Sequence, residues 1–126
     1  MYNDLVELVK EYCEECKLTY DPAAVERYLG WILKDSYLLV HRNEEGKIVG
    51  ALSFVVAPHH FTGKIVGRKI AWFVKKEYRG KIGRELLKQA EDQAKVLGAT
   101  KFYCSTPTKM VTDYFPVETE YEKELN

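Results

Sequence analysis

Between Lys75 and Arg84 the chain reads Lys-Lys-Glu-Tyr-Arg-Gly-Lys-Ile-Gly-Arg, so two glycines and a cluster of cations share one short segment. Glycine lets backbone N–H groups approach a ligand with no Cβ in the way. The segment follows Ile70-Ala71-Trp72-Phe73-Val74, a run that includes strong strand formers. It precedes Leu86, Leu87, Ala90, Ala94 and Leu97, which fall on one helical face. A helix N-terminus adds unpaired donors and a partial positive charge. Strand, glycine turn, cations and helix start together suit an anion, most naturally a phosphate or pyrophosphate. The same residues would also serve an ordinary strand-to-helix turn that needs glycine for its dihedrals.

Cys13 and Cys16 form a second spacing with chemical potential. Zinc would need two more ligands at suitable spacing, and none is evident, so no metal is expected. A redox C-x-x-C would follow a strand, whereas these two lie in an amphipathic helix. They read as small packing residues.

The elements that must position these residues are legible in order. Met1 to Cys16 reads as a helix with Leu5, Val9, Tyr12 and Cys16 along one face. Asp21-Pro22 opens a second helix as N-cap and first helical position. Its expected buried stripe is Val25, Tyr28, Leu29, Ile32 and Leu33. Ser36 to Arg42 reads as a strand, Asn43 to Lys47 as a turn, and Ile48 to Ala57 as a strongly apolar strand, which makes a hairpin. Pro58 to Lys64 is a loop, and Ile65 to Val74 a strand interrupted by Gly67. The central helix ends at Gly98, with Lys95 in its last turn. A short strand is expected from Lys101 to Cys104, a brief helix from Thr106-Pro107 to near Tyr114, and a last strand from Val117 to Leu125.

Composition bounds the rest. The 126 residues fit a single domain, 1–126, with a sizeable core. With 46% apolar and 30% charged residues the balance is that of a soluble globular chain. Nineteen Lys and Arg offset nineteen Asp and Glu, so no net field argues for nucleic acid or an anionic membrane. No apolar run is long enough to span a bilayer. Asp4, Glu7 and Lys10 interrupt any signal-peptide layout. An odd count of three cysteines suggests a reducing, cytoplasmic setting.

The stretch Val74-x-x-Glu77-Tyr78-Arg79-Gly80-Lys81-Ile82-Gly83-Arg84-x-Leu86-Leu87 resembles the acetyl-CoA signature of the GNAT family of N-acetyltransferases. The usual Arg-Gly-x-Gly-x-Gly is here one residue shorter. Lys47-Ile48-Val49-Gly50 resembles the opening of that family's third strand, and the ending Pro116-Val117-Glu118-Thr119-x-Tyr121-x-Lys123 is similar to short phage-encoded members. The resemblance implies an α/β fold with a mixed, mostly antiparallel sheet flanked by helices. It implies that the strands at Val74 and Phe102 are parallel neighbours joined by the central helix.

The implied activity is direct acetyl transfer from acetyl-CoA, as cosubstrate, to a primary amine of a small molecule or protein. An alternative is a non-catalytic CoA-binding or protein-interaction module of the same fold. The resemblance places the backbone of Phe73 and Val74 beside the acetyl and pantetheine arm. It places Arg79, Gly80, Lys81, Ile82, Gly83 and Arg84 around the pyrophosphate. The expected partners are acetyl-CoA and an amine acceptor, without nucleic acid or membrane; a homodimer is compatible. Such a transfer needs a neutral amine, donors for the developing oxyanion and a proton for the thiolate. His59 and His60 are candidates for the base because imidazole is the residue type suited to that role, although two solvated loop histidines is the plainer reading. The family often has a tyrosine in the helix after its fifth strand, and here that helix offers none. Tyr114 at its end, Ser105, Tyr103 and Tyr121 are the remaining donors, each also at home in a core.

Overall fold

A computed structural model of the chain describes residues 1–105 and 122–125. Two N-terminal helices, α1 (Tyr2–Glu15) and α2 (Pro22–Asp35), precede a sheet of β1 (Tyr37–Arg42), β2 (Ile48–Pro58) and β3 (Ile65–Val74). A single 3-10 turn (Lys76–Tyr78) leads to α3 (Lys81–Val96) and then β4 (Lys101–Tyr103). The sheet order is β1-β2-β3-β4, with the first two pairings antiparallel and β3–β4 parallel. The fold is therefore the mixed, mostly antiparallel α/β arrangement expected. The helix and most of the last strand expected after Ser105 lie outside the described residues. None of the helices among the described residues is long and apolar enough to cross a membrane.

Local signals explain the boundaries. The Asp21 carboxylate accepts the Ala23 and Ala24 N–H groups at 3.0 and 3.4 Å, so α2 begins where a capping residue followed by proline permits. Ser36 does not join β1. Its hydroxyl donates to the Ile32 carbonyl at 2.8 Å and closes α2 instead. The turn before β2 is stapled by the Asn43 side chain, which accepts from the N–H groups of Glu45 and Lys47, both at 3.0 Å.

β2 is the spine. From Ile48 to Phe54 every residue is buried, because helices cover both faces. One face packs Ala51 and Ile48 under Leu5, Leu8 and Val9 of α1 and Leu29 of α2. The other packs Leu52 and Phe54 with Val74 under Leu86, Leu87, Ala90 and Ala94 of α3. Of the stripe expected on α2, Leu29 and Ile32 are buried, while Tyr28 and Leu33 are exposed.

Gly67 interrupts the apolar pattern of β3 for a packing reason. A Cβ there would lie 2.7 Å from the Phe102 ring and 3.0 Å from the Ala94 Cβ. The glycine lets β3, β4 and α3 close on one another.

Candidate active site

The site begins with a fault in the sheet. Ser53 of β2 faces Ala71, but its neighbour Phe54 faces Lys69, so Ile70 is an extra residue on β3. Such a bulge bends its strand and interrupts pairing. The parallel ladder with β4 covers Val66, Gly67 and Arg68 and stops just before it. Beyond the bulge, β3 pairs with β2 along one edge and with no described strand along the other. The Tyr28 hydroxyl donates to the carbonyl of Ile70 at 3.3 Å, and the Ser53 hydroxyl accepts the Ala71 N–H at 3.1 Å, so side chains hold the distorted backbone.

The register also fixes where the strand amides point. The Lys75 N–H donates to the Val49 carbonyl at 2.9 Å, in line with Val74 opposite Gly50. Antiparallel alternation then turns the Phe73 N–H toward β2, and those of Trp72 and Val74 toward the other edge. Of the two backbone positions expected beside an acyl group, Val74 presents its amide to that edge and Phe73 does not.

The turn itself ends earlier than the sequence motif suggests. Gly80, at φ 91° and ψ −96°, is the N-cap of α3, a backbone conformation that side chains with a Cβ disfavour. Helix begins at Lys81, so Ile82, Gly83 and Arg84 lie in its first turn rather than in a loop, and Gly83 is buried there. No side chain caps this N-terminus and no acidic residue sits in the first turn. The first N–H groups of α3 therefore keep their donors and their dipole.

The cations divide into two sets, and α1 does the dividing. Asp4, Glu7, Glu11 and Glu15 recur at helical spacing and fall on one face. Asp4 accepts the Ile48 N–H at 3.0 Å. Glu7 pairs with Lys47 at 2.7 Å and Lys75 at 3.4 Å. Glu11 accepts the Lys76 N–H at 2.9 Å. Glu15 takes both terminal nitrogens of Arg79 in a bidentate pair, while Arg79 Nε donates to the Val74 carbonyl at 3.1 Å. Arg79 thus ties α1, β3 and the turn together. Lys81 and Arg84 are exposed and have no ion pair among the described residues.

The Arg79 guanidinium, first through its hydrogen bonds, holds the Glu15 carboxyl below the ordinary carboxylate value. A depressed folded pKa contributes stability that is present above the unfolded value, about 4.3. That stability disappears as the pH falls through the lower folded value. Glu15→Gln is expected to remove it, by about 0.5–1 kcal/mol for a half-exposed pair, and to flatten the acid limb of the stability curve. A double-mutant cycle with Arg79→Ala, followed by denaturant unfolding at neutral pH and at pH about 3.5, measures the coupling. Equal stability losses at both pH values would show that the carboxylate charge is not what matters.

Beside the bulge lies a cavity of about 260 Å³ between α1, α2 and β3. Tyr12 and Cys13 come from α1, Tyr28 from α2, Lys69 to Phe73 from β3, and Ser105 also lines it. The Tyr12 ring meets Phe73 edge-on at 5.1 Å. Burial pushes both Tyr12 and Tyr28 above the ordinary phenol value, so both hydroxyls stay protonated donors at neutral pH. Burial pushes the Lys69 amine down. It pushes the neighbouring Cys104 thiol up.

The residues nominated from sequence are thus partly gathered. Ser105 is at the cavity, with Val74, Gly80, Lys81 and Arg84 at the adjoining strand edge and helix start. His60 is not at the cavity. It is exposed on the β2–β3 hairpin, before β3 begins, and at about 3.3 Å per residue roughly 13 Å of strand separates Ile65 from Lys69. His59 has a structural place there: its Nδ1 accepts the Phe61 N–H at 3.1 Å and its ring lies 6.2 Å from that of Tyr103. Tyr103 is also covered by the Arg68 guanidinium at 4.7 Å. Tyr114 and Tyr121 lie outside the described residues. Sequence reasoning passed over Tyr12 and Tyr28 as cavity-lining residues. The two tyrosines sit on the helix faces read as buried stripes, which was the available signal.

An uncapped helix start, a strand edge beyond a bulge and an adjoining cavity are brought together in one α/β domain. The model of the Acetyltransferase (GNAT) family matches residues 2–111, and the chain belongs to that family. A comparison with curated proteins finds no match. Among solved structures, a GNAT family acetyltransferase from Staphylococcus aureus superposes with a TM-score of 0.73 at 20% identity, covering 98% of this chain and 89% of that one. A ribosomal-protein-alanine N-acetyltransferase from Brucella melitensis gives 0.68 at 20% identity, over 94% and 91% of the two chains. An aminoglycoside 6'-N-acetyltransferase from Acinetobacter haemolyticus gives 0.67 at 18%, over 99% and 93%. At such identities the likeness is one of fold.

Proposed function

We propose that this chain is an N-acetyltransferase that moves an acetyl group from acetyl-CoA to a primary amine by direct attack. The observation that carries the reading is the division of cations around α3. Carboxylates of α1 occupy Lys75 and Arg79, while Lys81, Arg84 and the uncapped N–H groups of α3 are left without acidic partners among the described residues. These groups fit a diphosphate. Acetyl-CoA, when bound, supplies an activated acyl group on a thiol leaving group.

The chain's own residues supply the rest. The Val74 N–H, turned away from β2, is a donor for an oxygen that gains charge. Arg79 acts as a brace: its hold on Glu15 and on the Val74 carbonyl fixes the strand end relative to the helix start. Ser105 and Tyr12 line the cavity as protonated donors within the same wall. Tyr114 and His60 remain candidates from sequence alone. The cytoplasmic setting and phage-type source belong to the same reading and rest on cysteine usage and on the chain's ending.

Release of free thiol from acetyl-CoA, followed with and without a panel of primary amines, tests the reaction. Amine-dependent release with N-acetylated product is the expected result. Saturable CoA binding with no amine-dependent release would instead make the chain a CoA-binding module.

A further inference from the structure

The register decides which side chains of β3 face the cavity. Ala51 of β2 stands opposite Phe73 and Ser53 opposite Ala71, on the sheet face that packs under α1 and α2. Leu52 stands opposite Trp72 and Phe54 opposite Lys69, on the face under α3. The cavity therefore receives the Ala71 methyl and the Phe73 ring, while Lys69 and Trp72 turn their side chains to the other side of the sheet. The helices add the Tyr12 ring from α1 and the Tyr28 ring from α2, so rings from three elements line the cavity beside one small residue. Tyr12 meets Phe73 edge-on at 5.1 Å. The Tyr28 hydroxyl is taken up by the Ile70 carbonyl at 3.3 Å, so that side chain offers its apolar body. Burial holds both phenols above the ordinary value, so both are uncharged at neutral pH. No Asp or Glu stands among the described lining residues, and Asp4, Glu7, Glu11 and Glu15 of α1 are turned to Ile48, Lys47, Lys75, Lys76 and Arg79.

We propose that the acceptor is an arylalkylamine, a primary amine on a short chain from one aromatic ring and without a carboxylate, and that the ring seats among Tyr12, Tyr28 and Phe73 over Ala71. The inference rests on the acetyl-transfer reading and names the substrate class of that site. An apolar cavity of about 150 Å³ takes a benzene molecule. At about 260 Å³ this one has room for a ring and a chain of a few atoms. Burying a ring against rings is favourable through its apolar area and through edge and offset contacts. A carboxylate carried into the same wall loses water and gains no charged partner among the described side chains that face it. The wall runs along β3 to Phe73, one residue from Val74. A ring held there by a short chain leaves its amine at the strand edge where the Val74 N–H receives the acyl oxygen.

The test compares phenethylamine, ethylamine and phenylalanine as acceptors with acetyl-CoA. Phenethylamine is expected to exceed ethylamine in kcat/KM by about tenfold or more, the effect of burying one ring. It should exceed phenylalanine by about tenfold or more as well, the effect of burying an unpaired carboxylate. Ala71→Leu fills the floor of the cavity and should bring the ratio of phenethylamine to ethylamine down to near one. A wild-type ratio near one, a preference for phenylalanine, or a ratio that survives in a folded Ala71→Leu protein would each overturn the proposal. Calorimetric binding of N-acetylphenethylamine and N-ethylacetamide to the wild-type chain reads the cavity without turnover and without any variant. Preferential binding of the aromatic amide with no thiol release from acetyl-CoA would sustain the cavity assignment while removing the acetyl-transfer reading. Equal binding of the two amides, or none by the aromatic one, would remove the assignment whatever the turnover.

Discussion

Replacing Lys81 and Arg84 by glutamate together is expected to weaken CoA binding by about a hundredfold or more. Each side chain is exposed, without an ion pair among the described residues, and placed in the first turn of an uncapped helix. A charge-assisted contact contributes on the order of 1.5–3 kcal/mol, roughly tenfold or more in affinity. Reversal adds repulsion to the loss. Stability should move the other way or not at all, because acidic residues at a helix start suit its dipole by a few tenths of a kcal/mol. That opposition in sign separates a binding role from a structural one. A short pantetheine thioester, which lacks the diphosphate, should lose much less affinity. The wild-type advantage of CoA over that thioester should shrink as salt is raised, since both side chains are exposed. Calorimetric titration of both ligands decides the matter. Equal losses for the two ligands would make this helix start structural, and unchanged CoA affinity would place the diphosphate elsewhere.

Gly67→Val is expected to be the most damaging single change to the fold. Its Cβ would meet the Phe102 ring at 2.7 Å and the Ala94 Cβ at 3.0 Å, closer than such atoms approach, and valine adds two further methyl groups. Overpacking of this kind costs about 1–3 kcal/mol, a fall in Tm on the order of 5–15 °C for a chain of this size. The strain falls on the β3–β4 ladder just before the bulge, so the stretch of β3 beyond it should also shift. Gly30→Ala supplies the contrast. That glycine lies within α2 with nothing within 4 Å of its added Cβ and no positive φ, so alanine should stabilise by about 0.5–1 kcal/mol. Thermal unfolding of both variants checks the pair. A Gly67→Val protein as stable as wild type would show that Phe102 and α3 can move aside, and that the glycine is not what sets their spacing.

Much of the scaffold could be read from local chemistry. Asp21-Pro22 specified a helix start through a carboxylate cap and a residue that needs no N–H partner there. The apolar spacing from Leu86 to Ala94 specified the buried face of α3, and the unbroken apolar run from Ile48 to Phe54 specified a strand covered on both sides. Gly80 marked the turn because its left-handed φ suits glycine. These features depend on neighbours within a few residues, and such neighbours are visible in sequence.

The site depended on register and on distant partners, which sequence spacing does not encode. The bulge at Ile70 exists because Ser53 and Phe54 select Ala71 and Lys69 across the sheet, a choice made by packing on two faces at once. The acidic spacing on α1 was present in the sequence. That its carboxylates would bind Ile48, Lys75, Lys76 and Arg79 followed only when α1 settled over the strand ends. That settling paired Arg79 with Glu15 and left Lys81 and Arg84 without acidic partners among the described residues. It also brought Tyr12, Tyr28 and Phe73 to one cavity wall, because each belongs to a different element and only their packing makes them neighbours.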